Sequence, residues 1–174
     1  MGHAYNAFNM SAIGHRIFLL SPAHCGGKRA GYVLNDAATF NLARQIRSPR
    51  GAELGDVFAF LSGLYFRGKL AYAKRFGNAP CGLSRSYVIT TNRGLVPPET
   101  PIKVAELREM GCGDIDATNP NYRNPLLRDL RRLIESCHHD CEFVLLGSIA
   151  TAKYVEPLLE LLGERLLFPT DFIG

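Results

Sequence analysis

Apolar residues in this chain fall into short dense runs, separated by longer stretches with helical spacing. "RIFLLS" (16–21), "SYVITT" (86–91) and "EFVLLG" (142–147) are compact runs with apolar cores, as expected of strands covered on both faces. "RLLFPTDFIG" (165–174) opens as a fourth such run. Between the runs, "NDAATFNLARQIR" (35–47) predicts a helix, with Asn35 or Asp36 at its N-cap and basic residues in its last turn. Residues 56–76 have helical periodicity with an interruption at Ser62 and Gly63. "NPLLRDLRRLIESC" (124–137) predicts a helix capped by Asn124, with Pro125 in its first position. Its apolar face is Leu126, Leu127, Leu130, Leu133 and Ile134; Arg128, Arg131, Arg132 and Glu135 take the other face. Ser148 is a candidate cap for "IATAKYVEPLLELLG" (149–163), in which Pro157 predicts a kink or a break. "SPRGAELG" (48–55) and "NRGLVPPETP" (92–101) read as connections, and residues 1–14 as a loose N-terminal arm.

Three apolar strands, each followed by a loop and a helix, imply an α/β fold. The expectation is a three-layer, mainly parallel sheet of about four strands flanked by helices, forming a single domain over residues 15–174. In such sheets ligands bind beyond the carboxyl ends of the strands. Residues 21–31, 90–98 and 147–150 should therefore share one rim.

Composition narrows the class. With 174 residues, 47% of them apolar and 21% charged, the chain has the make-up of a folded globular domain rather than a disordered one. No apolar run approaches the roughly 18 residues of a spanning helix, and "MGHAYNAFNMSAIGHR" lacks the continuous apolar core of a signal peptide. These features predict a soluble, cytoplasmic protein with no membrane partner. The odd count of five cysteines, without a secretion signal, predicts reduced thiols. Charge is unevenly spread: residues 1–93 hold twelve Lys and Arg against three acids, and residues 94–174 hold eight against thirteen. Either the first half meets an anionic partner such as nucleic acid or a nucleotide, or the two halves attract each other across the fold.

The rim segments carry the candidate chemistry. In "SPAHCGGKRAG" (21–31), Gly26 and Gly27 can turn backbone N–H groups inward, Lys28 and Arg29 add charge, and Ser21 and His24 flank them: the ingredients of an anion-binding loop. Neither G-x-x-x-x-G-K-[ST] nor G-x-G-x-x-G is present, so no cofactor is implied. Cys25 is a candidate nucleophile, since nearby cations would lower its pKa. Asp36 is a candidate base by its place at the start of the following helix. Asn92 and Arg93 sit on the second rim segment, where Gly94 permits the positive φ of a sharp turn. "SGLYFRGKLAYAKRFG" (62–77) interleaves aromatics with cations. Either it is a helix with Phe66, Leu70 and Phe76 toward the core, or Arg67 and Lys69 serve a nucleic acid. "CHHDC" (137–141) has zinc-binding residue types but lacks two separated ligand pairs, so a capping turn is the preferred reading and no metal is expected. The named rim segments contain no carboxylate; the nearest downstream are Glu99, Asp114, Asp116 and Asp171.

The succession "FLLSPAHCGGKRA", "LYFRGKLAYAKRF" and "YVITTNRGLVPPETPI" resembles a family of small bacterial and phage α/β proteins of unknown function. Their first-strand loop is of C-G-K-S-K type, followed by an L-F-R-K-type helix and a strand of I-L-S-A-K-H-G-L-x-x-P type. Cys25, Gly26 and Lys28 fall in the first, residues 64–69 in the second, and Gly94, Leu95 and Pro97 or Pro98 in the third. More distantly, the chain is similar to the YaaA peroxide-stress family, matching its S-P-A-K opening at Ser21, Pro22 and Ala23 and the end of its S-G-L-Y-G-x-L-x-P motif at Gly94, Leu95 and Pro97. His24 replaces the lysine of S-P-A-K, and Gly27, Lys28 and Arg29 stand at the S-x-K end of the other loop. The resemblance covers about residues 15–105. It implies association with DNA or nucleotides, and relatives are tied to deazaguanine chemistry on nucleic acids. The functional expectation is an enzyme acting on a nucleobase or nucleotide, by hydrolysis or transfer, at a phosphate-binding rim. The alternative is a non-catalytic DNA-binding module of the YaaA-like type.

Overall fold

A computed structural model describes residues 14–169. The chain runs β1 (Arg16–Leu20), α1 (Lys28–Leu34), α2 (Asn41–Arg47), β2 (Ala52–Glu53), α3 (Leu54–Ser62), α4 (Leu64–Phe76), β3 (Ser86–Ile89), β4 (Leu95–Val96), β5 (Pro101–Ile102), α5 (Val104–Cys112), α6 (Pro120–Glu135), β6 (Glu142–Leu146), α7 (Ala152–Leu162) and β7 (Leu166–Leu167). Apart from Gly14, the expected N-terminal arm lies outside the described residues, as does Asp171.

The main sheet has the order β4-β3-β1-β6-β7. β1 lies in its middle, parallel to β3 and β6, and β7 extends the parallel set. All five residues of β1 are buried, which explains its unbroken apolar run: both faces are covered. Phe18 and Leu20, with Val88, Val144 and Leu146, pack toward a core shared with α1–α5. Ile17 and Leu19, with Ile89, Phe143 and Leu145, pack toward α6 and α7. The result is the expected α/β sandwich of helices, sheet and helices. The fifth strand is β4, antiparallel to β3, inside the segment read as pure loop. It forms because the turn before it closes tightly: Thr90 N–H and Oγ1 both donate to Gly94 O at 2.9 Å, and Gly94 has φ +68°. A Cβ there would lie 2.2 Å from Asp129 Oδ2, so glycine is required by both conformation and space.

Several element boundaries differ from expectation. The helix expected over 35–47 begins at Asn41, because α1 takes up the end of the first loop and a turn follows it. Asn35 Oδ1 accepts from Ala37 N–H in that turn, so Asn35 caps the turn and not the helix. The helix expected from Asn124 starts a turn earlier. Asn119 accepts from Asn121 N–H, Pro120 fills the first position, and buried Tyr122 extends the apolar face upstream. α7 begins after Thr151 instead of Ser148. Pro157 lies within α7 without ending it. Its ring nitrogen has no hydrogen to offer the carbonyl of Lys153, four residues back. Tyr122 of α6 supplies the missing donor, with its hydroxyl 2.9 Å from Lys153 O. The interruption expected at Ser62 and Gly63 is present: Gly63, at φ +62°, separates α3 from α4. Among the described residues no helix is long and apolar enough to cross a membrane.

Candidate functional site

β1 and β6 lie side by side in register from Arg16↔Glu142 to Leu20↔Leu146. The chain leaving β1 goes to β3 on one side, and the chain leaving β6 goes to β7 on the other. Connections that diverge in this way open a crevice at the carboxyl ends of the two strands. A cleft of about 240 Å³ lies there, lined by His24, Cys25 and Gly26 of the first loop, Thr91 beyond β3, Asp114, and Lys153 and Tyr154 of α7. Close backbone approaches hold its walls. A Cβ at Gly111 would lie 3.2 Å from Cys25 O, and one at Gly113 would lie 2.7 Å from Thr91 Oγ1. Thr91 Oγ1 in turn donates to Met110 O at 3.0 Å. Asp114 and Thr91 also border a broader, shallower hollow that contains Asn92.

The first loop and the start of the second rim segment therefore meet, but their side chains divide into distinct roles. Ser21 is buried at the end of β1, and its N–H donates to Leu146 O. His24 is exposed at the cleft, its ring lying against Gly27. Neither Gly26 nor Gly27 takes a positive φ; a side chain at Gly27 would come 3.1 Å from the His24 ring, so close approach explains that glycine better than turn geometry. Cys25 is buried, its thiol donating to Ala23 O at 3.5 Å. Burial pushes this thiol up to about 12, the reverse of the lowering that a nucleophile at neutral pH needs. The expected cations do not offset that effect. Lys28 is exposed at the first position of α1, and Arg29 donates to Phe60 O at 3.2 Å beside Gly63, closing the corner between α3 and α4.

Three other expected residues lie away from the cleft or are engaged elsewhere. Asp36 is exposed beyond the far end of α1, and α1 itself carries the chain about 10 Å from Gly27. Arg93 pairs with Glu106 at 2.5 Å and Glu109 at 3.1 Å, so its charge is balanced within the fold. Arg67 is exposed on α4. Asn92 borders the shallow hollow, where its side-chain oxygen is buried without a partner. "CHHDC" lies at the opposite end of the sheet, just before β6 begins. Arg165 pins it there by donating to Cys141 O at 3.0 Å and His138 O at 3.1 Å. His24 and Cys25 are at the other end of the strands and cannot join it. Among the described residues no group of three or more His, Cys, Asp and Glu is arranged to hold a metal ion.

Lys69 is the most unusual side chain at this end of the sheet. It is 5% exposed, and its ammonium donates to both Ser21 O and Ser21 Oγ at 2.8 Å. No carboxylate pairs with it among the described residues. Burial lowers it from 10.5 to about 8. Gly147 makes room for this arrangement, since a Cβ there would lie 2.7 Å from Ser21 Cβ. Of the expected core residues of α4, Phe66 and Leu70 are buried and Phe76 is partly exposed. The pattern of aromatics inward and cations outward is inverted at Lys69 and Tyr65, because Tyr65 is 62% exposed. The sequence held one clue: Lys69 falls on the stripe formed by Phe66, Leu70 and Ala73, a cation at an apolar position. Lys153 and Tyr154 had no comparable clue. Asp114 could be found only by knowing which later carboxylate folds back onto the rim. Comparison with protein-family models, curated proteins and solved structures finds no match for this chain.

Proposed function

We propose that the cleft between the first loop and α7 binds a nucleotide or a nucleotide unit of a nucleic acid, and that Asp114 and His24 act on the bound group by hydrolysis or transfer at its base. The observation that carries this reading is the meeting of His24, Asp114 and Lys153 on one cleft at the point where the strand connections diverge. Lys153 offers a charge to phosphate. Asp114 can take a proton from water or a base nitrogen, and His24 can donate or accept one. The basic first half of the chain and the likeness to DNA-associated families support the same class of ligand, and the five free thiols suit a cytoplasmic setting. The second reading, a binding module without chemistry, draws on the exposed cations Lys28 and Arg67.

Calorimetric titration with nucleoside monophosphates and short DNA, alongside a product assay, separates the two. Lys153→Ala should weaken binding several-fold. Asp114→Asn should bind as wild type does and lose turnover if the site is catalytic; absence of turnover in wild type favours the binder. Arg50→Ala is the control, since Arg50 lies near β2 and β5, away from the cleft. Equal weakening by Lys153→Ala and Arg50→Ala would mean diffuse attraction and would remove the site.

A further inference from the structure

Tyr65 presents an aromatic ring to solvent in an unusually well-supported way. It is the second residue of α4, set at the corner made by Gly63, and is 62% exposed. Lys69 lies one turn further along, with its ammonium 4.5 Å from the centre of the Tyr65 ring. That ammonium is fixed by the two hydrogen bonds it donates to the oxygens of Ser21 at the end of β1. The ring is therefore braced on one side by a fixed cation. Gly68 lies three residues from Tyr65 and four from Leu64, on the same helical face. Among the described residues a Cβ at Gly68 would meet nothing within 4 Å, so no described neighbour calls for glycine there, although glycine weakens a helix interior. Leu64, at the edge of this face, is 80% exposed. The chain leaving Ser21, which accepts from Lys69, runs directly into Pro22, Ala23 and His24 of the cleft lining, so the patch and the cleft share the end of β1.

An exposed ring fixed from beneath and beside bare helix backbone, at the same end of β1 as the cleft, suits a flat ligand that stacks. We propose that Tyr65 is a stacking platform for an unpaired nucleobase, that Gly68 leaves room for it, and that Lys69 is the positioning residue that holds the ring. The inference rests on the nucleotide reading of the cleft and narrows it to single-stranded or extruded bases, since a paired base in a duplex hides its faces against its neighbours. Lys153, beside Tyr154 on the cleft, is a cation available to a flanking phosphate.

The chain contains no tryptophan, so Tyr65→Trp introduces a single indole reporter at the platform. It is titrated with a short single-stranded oligothymidylate, with an abasic oligonucleotide of equal length and charge, and with the corresponding duplex. The expected result is quenching by the single strand and little by the abasic strand or the duplex. In the otherwise native chain, Tyr65→Ala should weaken single-strand binding by roughly tenfold while leaving abasic binding unchanged. Gly68→Ala should raise the Tm yet weaken single-strand binding, a combination that a purely structural role would not give. Lys69→Met in the Y65W background should lower the indole anisotropy as the ring loosens. Equal quenching by single strand and abasic strand, or wild-type affinity for the single strand in Tyr65→Ala, would overturn the platform. If abasic binding then remained sensitive to Lys153→Ala, the cleft reading would survive. If wild type bound none of the probes, both would fall.

Discussion

Replacing Lys69 by methionine should stabilise the protein at neutral pH and destabilise it at high pH. The side chain is buried, and among the described residues its ammonium has the two oxygens of Ser21 as hydrogen-bond partners and no carboxylate to balance its charge. Its folded pKa of about 8 lies below the ordinary 10.5, a gap equivalent to on the order of 3 kcal/mol. Below pH 8 the lysine is protonated in both the folded and unfolded states, and the full cost of burying the charge falls on the fold. Between about 8 and 10.5 the unfolded chain holds a proton that the folded chain has released, so wild-type stability from this group rises with pH. Above 10.5 the cost is gone. Methionine has a similar reach and no charge, so it removes the cost at every pH. It also leaves two acceptors of Ser21 without their donor, at about 1 kcal/mol each. The balance makes Lys69→Met about 1 kcal/mol more stable than wild type at pH 7 and about 2 kcal/mol less stable near pH 10.5. Urea unfolding of both proteins across this range measures the difference, and the comparison cancels the titration of every other group they share. A difference that stays constant with pH would refute the reasoning, because it would mean that Lys69 is solvated or balanced by a charge.

Two further outcomes test the structure around the cleft. Tyr122→Phe leaves Lys153 O without the donor that stands in for Pro157, and should cost about 1–2 kcal/mol in urea unfolding; a neutral result would mean that this carbonyl finds water. Cys81 and Cys112 are exposed and should react with a thiol reagent in the native state at neutral pH, whereas Cys25 and Cys141, each pushed up to about 12 by burial, should react only on unfolding; rapid native labelling of Cys25 would restore it as a nucleophile.

The architecture was legible because one local signal, an apolar run between loops, specifies a strand covered on both faces. β1, β3 and β6 all appear where such runs predict them, and β7 begins within the fourth. Boundaries were less legible where two capping sequences compete. Asn119 with Pro120 and Asn124 with Pro125 present the same chemistry one turn apart, and the burial of Tyr122 favours the earlier start. β4 was hidden because its pairing depends on the contact of Gly94 with Asp129, thirty-odd residues away. The rim was legible by topology, but its occupants were not. Charge and residue type nominated Arg93 and Arg29, yet a side chain's partner is decided by what folds back against it. Asp114 and Lys153 reach the cleft from the second half of the chain and carry no motif.

The uneven charge of the two halves was open to two readings, and the pairing pattern separates them cation by cation. Arg16 with Glu142, and Arg93 with Glu106 and Glu109, join a first-half cation to second-half acids. For these residues internal attraction is the explanation, and their charge is spent. Lys69 and Arg29 are different. Their hydrogen bonds end on a serine and on a backbone carbonyl, which satisfy a donor without cancelling a charge. Each keeps its positive charge close to the carboxyl end of β1 or to the corner that follows Gly63. A neutral acceptor orients a cation and leaves its field to act on whatever approaches, whereas a carboxylate quenches it. On this ground this end of the sheet should prefer ligands that bring negative charge, and in the function proposed above Asp114 on the cleft wall is left for chemistry while Lys153 meets the ligand's charge.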